Sequence, residues 1–278
     1  MSYGTDRGCD DSADICMIAL PTPSTPPAPR KTQYSSIAYM YDGSFEGLLC
    51  CVYESYYQRE LPDMIFSYGE TQETLFPVRE IVTDDISASK VEHSIIHSIS
   101  NEALRLVRLC YYSIMENRET AILNFLRLGY KIGAPVTDML ADDTVRAVTK
   151  TARNVSRESG YYREFLRFSD YDGVLVAIIE PKNFVLPMIA GHYRDRLPGE
   201  KFMIYDESHK HAVFYHNGES VIMPLDNVVL PEACAREDKY RALWKTFYDA
   251  IAIEGRINLK LRMNNMPKRY WKHMTEFM

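Results

Sequence analysis

The chain has 278 residues, 46% hydrophobic and 25% charged, with a formal net charge of −6. That length buries a full core as one large domain or two small ones, and no apolar run approaches the roughly 20 residues that span a bilayer, so no membrane-crossing helix is expected. Net acidity excludes a general nucleic-acid coat protein, but screening over about 8 Å in physiological salt lets a local basic patch act independently of distant acids.

Met1 to Gln33 carries five Pro between Pro21 and Pro29 and few large apolar residues, too little to offset the entropy of ordering. It reads as a mobile tail ahead of an α+β domain over 34–278, which divides naturally into a mainly helical 34–160 and a sheet-bearing 161–278. The apolar patch Ile15 to Leu20 is too short, and too acidic upstream, for a secretory signal. Cys9, Cys16, Cys50, Cys51, Cys110 and Cys234 form no CxxC pair, which points to reduced thiols in a cytosol.

Ile37 to Tyr41 predicts a strand ending at the turn dipeptide Asp42-Gly43. Ser44 then caps a helix with Phe45, Leu48, Leu49, Val52 and Tyr56 at helical spacing. Met64–Phe66 and Thr74–Val82 predict strands, Pro77 placing the second at an edge. Helices follow over Ser87–Asn117, broken near Ser100-Asn101, then over Arg118–Tyr130 and Asp142–Tyr162. The period next changes to two. Glu164–Phe168 and Val174–Glu180 flank the turn at Asp172-Gly173, Asn183 caps a helix through Leu197, and Phe202–Tyr205, Ala212–Tyr215 and Val221–Met223 complete the pattern. This order describes a helical bundle packed with an antiparallel sheet, strand-strand-helix-strand-strand. An amphipathic helix over Glu237–Arg256 precedes a basic C-terminal helix.

That closing stretch concentrates positive charge. From Arg256 onward, Arg256, Lys260, Arg262, Lys268, Arg269 and Lys272 face Glu276 alone, a charge of +5 that leaves −11 on the rest. With Tyr270 and Trp271 inside it, the segment suits phosphate contact and stacking on unpaired bases. The same composition also suits a helix anchored by Trp271, Met274 and Phe277, with Lys and Arg as its wet face.

Several runs carry a family resemblance: Asp172-Gly173-Val174-Leu175, Ile179-Glu180-Pro181, Val185-Leu186-Pro187, His192-Tyr193, Leu243-Trp244-Lys245, Asp249 to Glu254, and the specific Met266-Pro267-Lys268-Arg269-Tyr270-Trp271-Lys272. From about Tyr34 to Phe277 the chain resembles a bacterial family assigned to DNA metabolism or DNA repair, without an established reaction. Its members are encoded beside a DNA-modifying radical SAM protein, and some are fused to a uracil-DNA-glycosylase-like domain. The resemblance implies DNA and that radical SAM protein as partners. It also implies His at two positions where this chain has Ser159 and Asn183.

Other candidate chemistry is sparse. Asp42 and Glu46, one helical turn apart, offer a carboxylate pair for acid–base work, although turn and cap duty is the more common use of such residues. His93 and His97 have ligand spacing without the Glu of HExxH or a third ligand; His209, His211 and His216 read as sheet residues and His192 as a helix-boundary residue, so no metal is expected. GxSxG, GxxxxGK[ST], GxGxxG and CxxxCxxC are absent, leaving no cofactor signature. Three functions stay open: a DNA-binding repair factor gripping through the basic end, an enzyme on a damaged or flipped base using Asp42 or Glu46, and an accessory subunit docking a protein partner.

Overall fold

A computed structural model describes residues 36–69, 74–226, 228, 235–251, 253 and 258–277. The chain divides into two units, Met1–Thr32 and Gln33–Met278; the expected tail and the first unit lie outside the described residues, as do Cys9, Cys16, Cys234 and Arg256.

The second unit is α+β. Its first half packs α1 (Phe45–Tyr57), α2 (Asp85–Ser98), α3 (Asn101–Tyr111), α4 (Arg118–Ile132) and most of α5 (Asp143–Phe165) beside three short strands, β1 (Ala38–Tyr41), β2 (Met64–Ser67) and β3 (Val78–Glu80). Side-chain caps start four of these helices, all but α4. Ser44 Oγ accepts from the Gly47 N–H at 2.9 Å, Ser100 Oγ from Ala103 N–H at 3.1 Å, and Asp84 and Asp142 cap α2 and α5 likewise, satisfying amide donors that the first helical turn leaves unpaired. The strands form a sheet of order β2-β1-β3, both pairings parallel, so β3 occupies an edge, as Pro77 predicts.

The second half builds a five-stranded sheet of order β4-β5-β6-β7-β8 from β4 (Ser169–Tyr171), β5 (Val174–Ile179), β6 (Lys201–Asp206), β7 (His211–His216) and β8 (Glu219–Pro224). Asp172-Gly173 and Asn217-Gly218 turn its tight hairpins with positive φ at both residues of each pair, the geometry whose twist matches flanking strands. The expected all-antiparallel sheet is corrected at one place: β5 and β6 pair in parallel. The reason is α6 (Leu186–Arg196), which crosses between them and returns the chain to the end where β5 began.

Three boundaries also move. The residues expected as a strand at Glu164–Phe168 instead prolong α5 to Phe165, and the hairpin's first strand is Ser169–Tyr171. Val185, not Asn183, occupies the N-cap of α6. Beyond α7 (Ala235–Ile251), α8 is a short helix over Leu259–Asn265, and the Lys268–His273 stretch is a 3-10 turn rather than a basic α-helix.

Two apolar clusters result, one from Ile37 to Val155 and one from Tyr162 to Met274; α5 contributes to both, and Met188 packs against each. In the first cluster, α1 approaches β1 so closely that a Cβ on Gly47 would lie 2.3 Å from Asp42 Oδ1 and 2.9 Å from Tyr41 Cδ2. Gly47→Ala should therefore destabilise the fold by about 1–3 kcal/mol, read as a lower urea midpoint; an unchanged midpoint would show that α1 shifts freely.

Candidate functional site

The two clusters meet at a cleft of about 550 Å3, set among α5, the end of α3, the loop after β5 and the C-terminal segment. At its base lies Glu158 of α5, only 3% exposed. Its Oε1 accepts from the Lys182 N–H at 3.0 Å and meets the Arg269 guanidinium at 2.8 Å; its Oε2 accepts from the Asn183 N–H at 2.9 Å and from Asn183 Nδ2. Four donors on two oxygens saturate a carboxylate. Asn183 Oδ1 in turn accepts from the Ile114 N–H at 3.1 Å, which accounts for its absence from the α6 cap.

Around this filled carboxylate the cleft is basic. Arg157, Lys182 and Arg269 line it together with Asn154 and Tyr161. Arg157 bonds only the neutral Asn154 Oδ1, at 2.8 Å, and no carboxylate partners Arg157 or Lys182 among the described residues. The cleft opens just past the C-terminal end of β5, where parallel strands leave backbone and side chains free to meet ligands.

The C-terminal segment is arranged differently from its expected outward grip. Tyr270 is buried at 4% exposure, its ring 5.0 Å from Tyr162 and 5.3 Å from Tyr161, and burial pushes its phenol up to about 12. Trp271 stacks on Phe277 at 4.5 Å and donates to the Met266 carbonyl at 3.0 Å; Met274 is buried. Arg269 pairs with Glu158, and Lys272 with Glu180. The outward-facing aromatic grip is thus corrected: apolar burial claims the rings, and carboxylates of the body claim two of the cations. Lys260, Arg262 and Lys268 have no carboxylate partner among the described residues; Arg262 lies 5.9 Å from the Phe277 ring centre and Lys268 6.0 Å from that of Trp271.

A family model described as a domain of unknown function, DUF4130, matches residues 116–276, more than half of the chain. The chain belongs to the DUF4130 family. No curated protein matches it. The matched span contains every cleft residue except Ser113, Ile114 and Met115, and it takes in the whole five-stranded sheet and the closing motif.

Asp42 and Glu46 precede the DUF4130 span and line none of the cavity around Arg269. Asp42 Oδ1 accepts from the Ser44 N–H at 2.9 Å and from Ser44 Oγ at 2.6 Å, while Oδ2 accepts from Thr83 Oγ1 at 2.8 Å. Burial alone would raise its pKa, but the bonds from Ser44 and Thr83 hold it below the usual carboxylate range, so it stays ionised as a turn anchor. Glu46 borders a separate cavity with Arg108, Tyr111 and His211.

Burial raises the thiols of Cys50, Cys51 and Cys110, the last to about 12, leaving them protonated and poor nucleophiles. Among the described residues, Glu180, Glu207 and His273 bring three ligand atoms within 4.8 Å of one another. Lys272 already supplies positive charge to Glu180 there, and with the His273 bond it holds that carboxyl below its ordinary range against the effect of burial.

The C-terminal segment is held down by Glu276 as well, which is buried and takes Arg167 at 2.7 Å and Trp244 Nε1 at 3.2 Å. Burial would raise its pKa; Arg167 reverses that and lowers it below 4.5. A depressed carboxyl contributes stability that is complete above its unfolded value and fades as pH falls through the folded one. Arg167→Met should cost about 1–3 kcal/mol at pH 7, with the gap to wild type closing below pH 4.5 in urea unfolding. A gap constant from pH 7 to 3 would refute the assignment.

Proposed function

We propose that this DUF4130 protein binds DNA, its phosphates held along the cleft by Arg157 and Lys182 beside the Glu158-paired Arg269. The observation that carries this reading is a cleft in which Arg157 and Lys182 have no carboxylate partner among the described residues, its single buried carboxylate being already filled by Arg269 and by the Lys182 and Asn183 groups. Positive charge left without an internal partner is what a polyanion exchanges for its counterions. The family resemblance supports DNA rather than another polyanion, and a role in DNA repair or metabolism rests on it. Relative to the sequence reading, the grip moves from Tyr270 and Trp271 to α5 and the β5–α6 loop.

Each phosphate contact contributes a slope of about −0.9 in log affinity against log salt for duplex DNA. Arg157→Gln combined with Lys182→Gln alters two exposed side chains, so the fold should persist. The measured slope should then fall by about 1.8 in a fluorescence-anisotropy salt series. A slope identical to wild type, or no salt dependence in wild type, would overturn the proposal.

The same resemblance supports a radical SAM protein as working partner, and the outward face of α7 suits protein contact: Leu243, Phe247 and Ile251 are each more than half exposed, at helical spacing. Nuclease-treated co-purification with that protein should succeed for the wild type and fail for Phe247→Asp. Equal recovery of both would remove α7 from the interface.

A further inference from the structure

A second cavity, about 710 Å3, lies between the end of α5, α6 and α7, within the size range of small-molecule sites. Its lining differs from that of the first. Arg163, Arg196 and His192 stand on one side, and two aromatic residues of α7, Tyr240 at 58% and Trp244 at 40% exposure, on the other. The carboxylates at its border are unevenly engaged: Glu237 is taken up by Arg241 at 2.9 Å and by the Asp170 N–H at 3.0 Å, whereas Glu164 is exposed. Arg163 donates to the Met188 carbonyl at 2.8 Å, and neither Arg163 nor Arg196 meets a carboxylate among the described residues.

Two further observations bear on what this place can hold. His192 packs edge-on to the Tyr193 ring at 5.0 Å, with its Nε2 buried away from the cavity. Burial, then Arg163 and Arg196, lower the His192 pKa, so the ring stays neutral while the positive charge beside it remains. Trp244 and Tyr240, unlike Tyr270, keep much of their surface in solvent.

We infer that this cavity binds a nucleotide, the phosphate between Arg163 and Arg196 and the base against Trp244 and Tyr240. Guanidinium groups suit phosphate oxygens through charge-assisted bonds, and aromatic side chains accept any base by stacking. The nucleotide is either free or an unpaired unit of a strand. The site uses none of the three cations of the first cleft, so it stands or falls separately from the DNA-backbone reading.

Trp244 is its own reporter, because the chain holds two Trp and Trp271→Phe leaves Trp244 alone. Titration with deoxyadenosine monophosphate, and separately with a short single-stranded oligonucleotide, should quench Trp244 emission saturably. Quenching by both assigns a free nucleotide as ligand; quenching by the oligonucleotide alone assigns an unpaired unit of a strand. Arg163→Gln with Arg196→Gln should weaken the midpoint about tenfold or more, while Lys182→Gln should leave it unchanged. Calorimetric titration of the chain with both Trp intact gives the same comparison if Trp271→Phe fails to fold. No saturable response to either ligand, or a response that survives the double Arg substitution, overturns the inference.

Discussion

The carboxylate of Glu158 is the constraint on which the rest of the molecule turns. It sits on α5 where the helix leaves one apolar cluster and enters the other, and it gathers three pieces of chain that are distant in sequence: its own helix, the loop after β5 and Arg269. A buried anion is costly unless paired and hydrogen-bonded. Here both conditions are met by groups that would otherwise be loose ends. The Lys182 and Asn183 amides face it from a loop outside regular structure, and Arg269 brings the closing segment across. Cleft, loop and C-terminal segment are therefore one construction, with Glu158 at its base.

This changes the meaning of the charge segregation. A body of −11 and an end of +5 looks, in sequence, like an end reserved for a polyanion. In the fold part of that opposition is spent internally, since Arg269 meets Glu158 and Lys272 meets Glu180, while Glu276 within the end meets Arg167 of the body. What remains for a ligand is the surplus, and it lies largely on residues that no charge run singles out, Arg157 on α5 and Lys182 after β5. Charge counted along the chain and charge offered to solvent are different quantities, because pairing is decided by the fold.

Much of the fold was legible because local signals were strong. Ser44 and Ser100 cap helices where their hydroxyls reach amides three residues on, Asp172-Gly173 and Asn217-Gly218 turn hairpins, and the change of period after α5 marks the sheet. The parallel pairing of β5 with β6 was not legible from alternation, which is the same for either direction; it follows from α6 as a crossover, a relation among elements rather than a property of one. That omission also concealed the cleft. Had β5 been read as parallel to β6, the loop Pro181-Lys182-Asn183 at its C-terminal end would have stood out as a ligand-facing position.

The aromatic residues show why composition alone misassigned the grip. Tyr270 and Trp271 lie among Lys and Arg, yet the next apolar positions, Met274 and Phe277, recur at spacings that let the segment fold its rings inward as a turn. Tyr161, Tyr162 and Phe165 on α5 present a matching aromatic surface at 5.0 to 6.2 Å, and a ring accommodated there leaves water along most of its area. On α7, Trp244 has Arg167 5.6 Å from its ring centre and gives its N–H to Glu276, yet stays 40% exposed, and Tyr240 is 58% exposed. Exposure separates the two pairs, and sequence could not, since both sit beside cations. A cation next to a ring faces solvent only where the ring has nothing better to pack against, and Tyr240 and Trp244 keep far more of their surface in solvent than Tyr270 does.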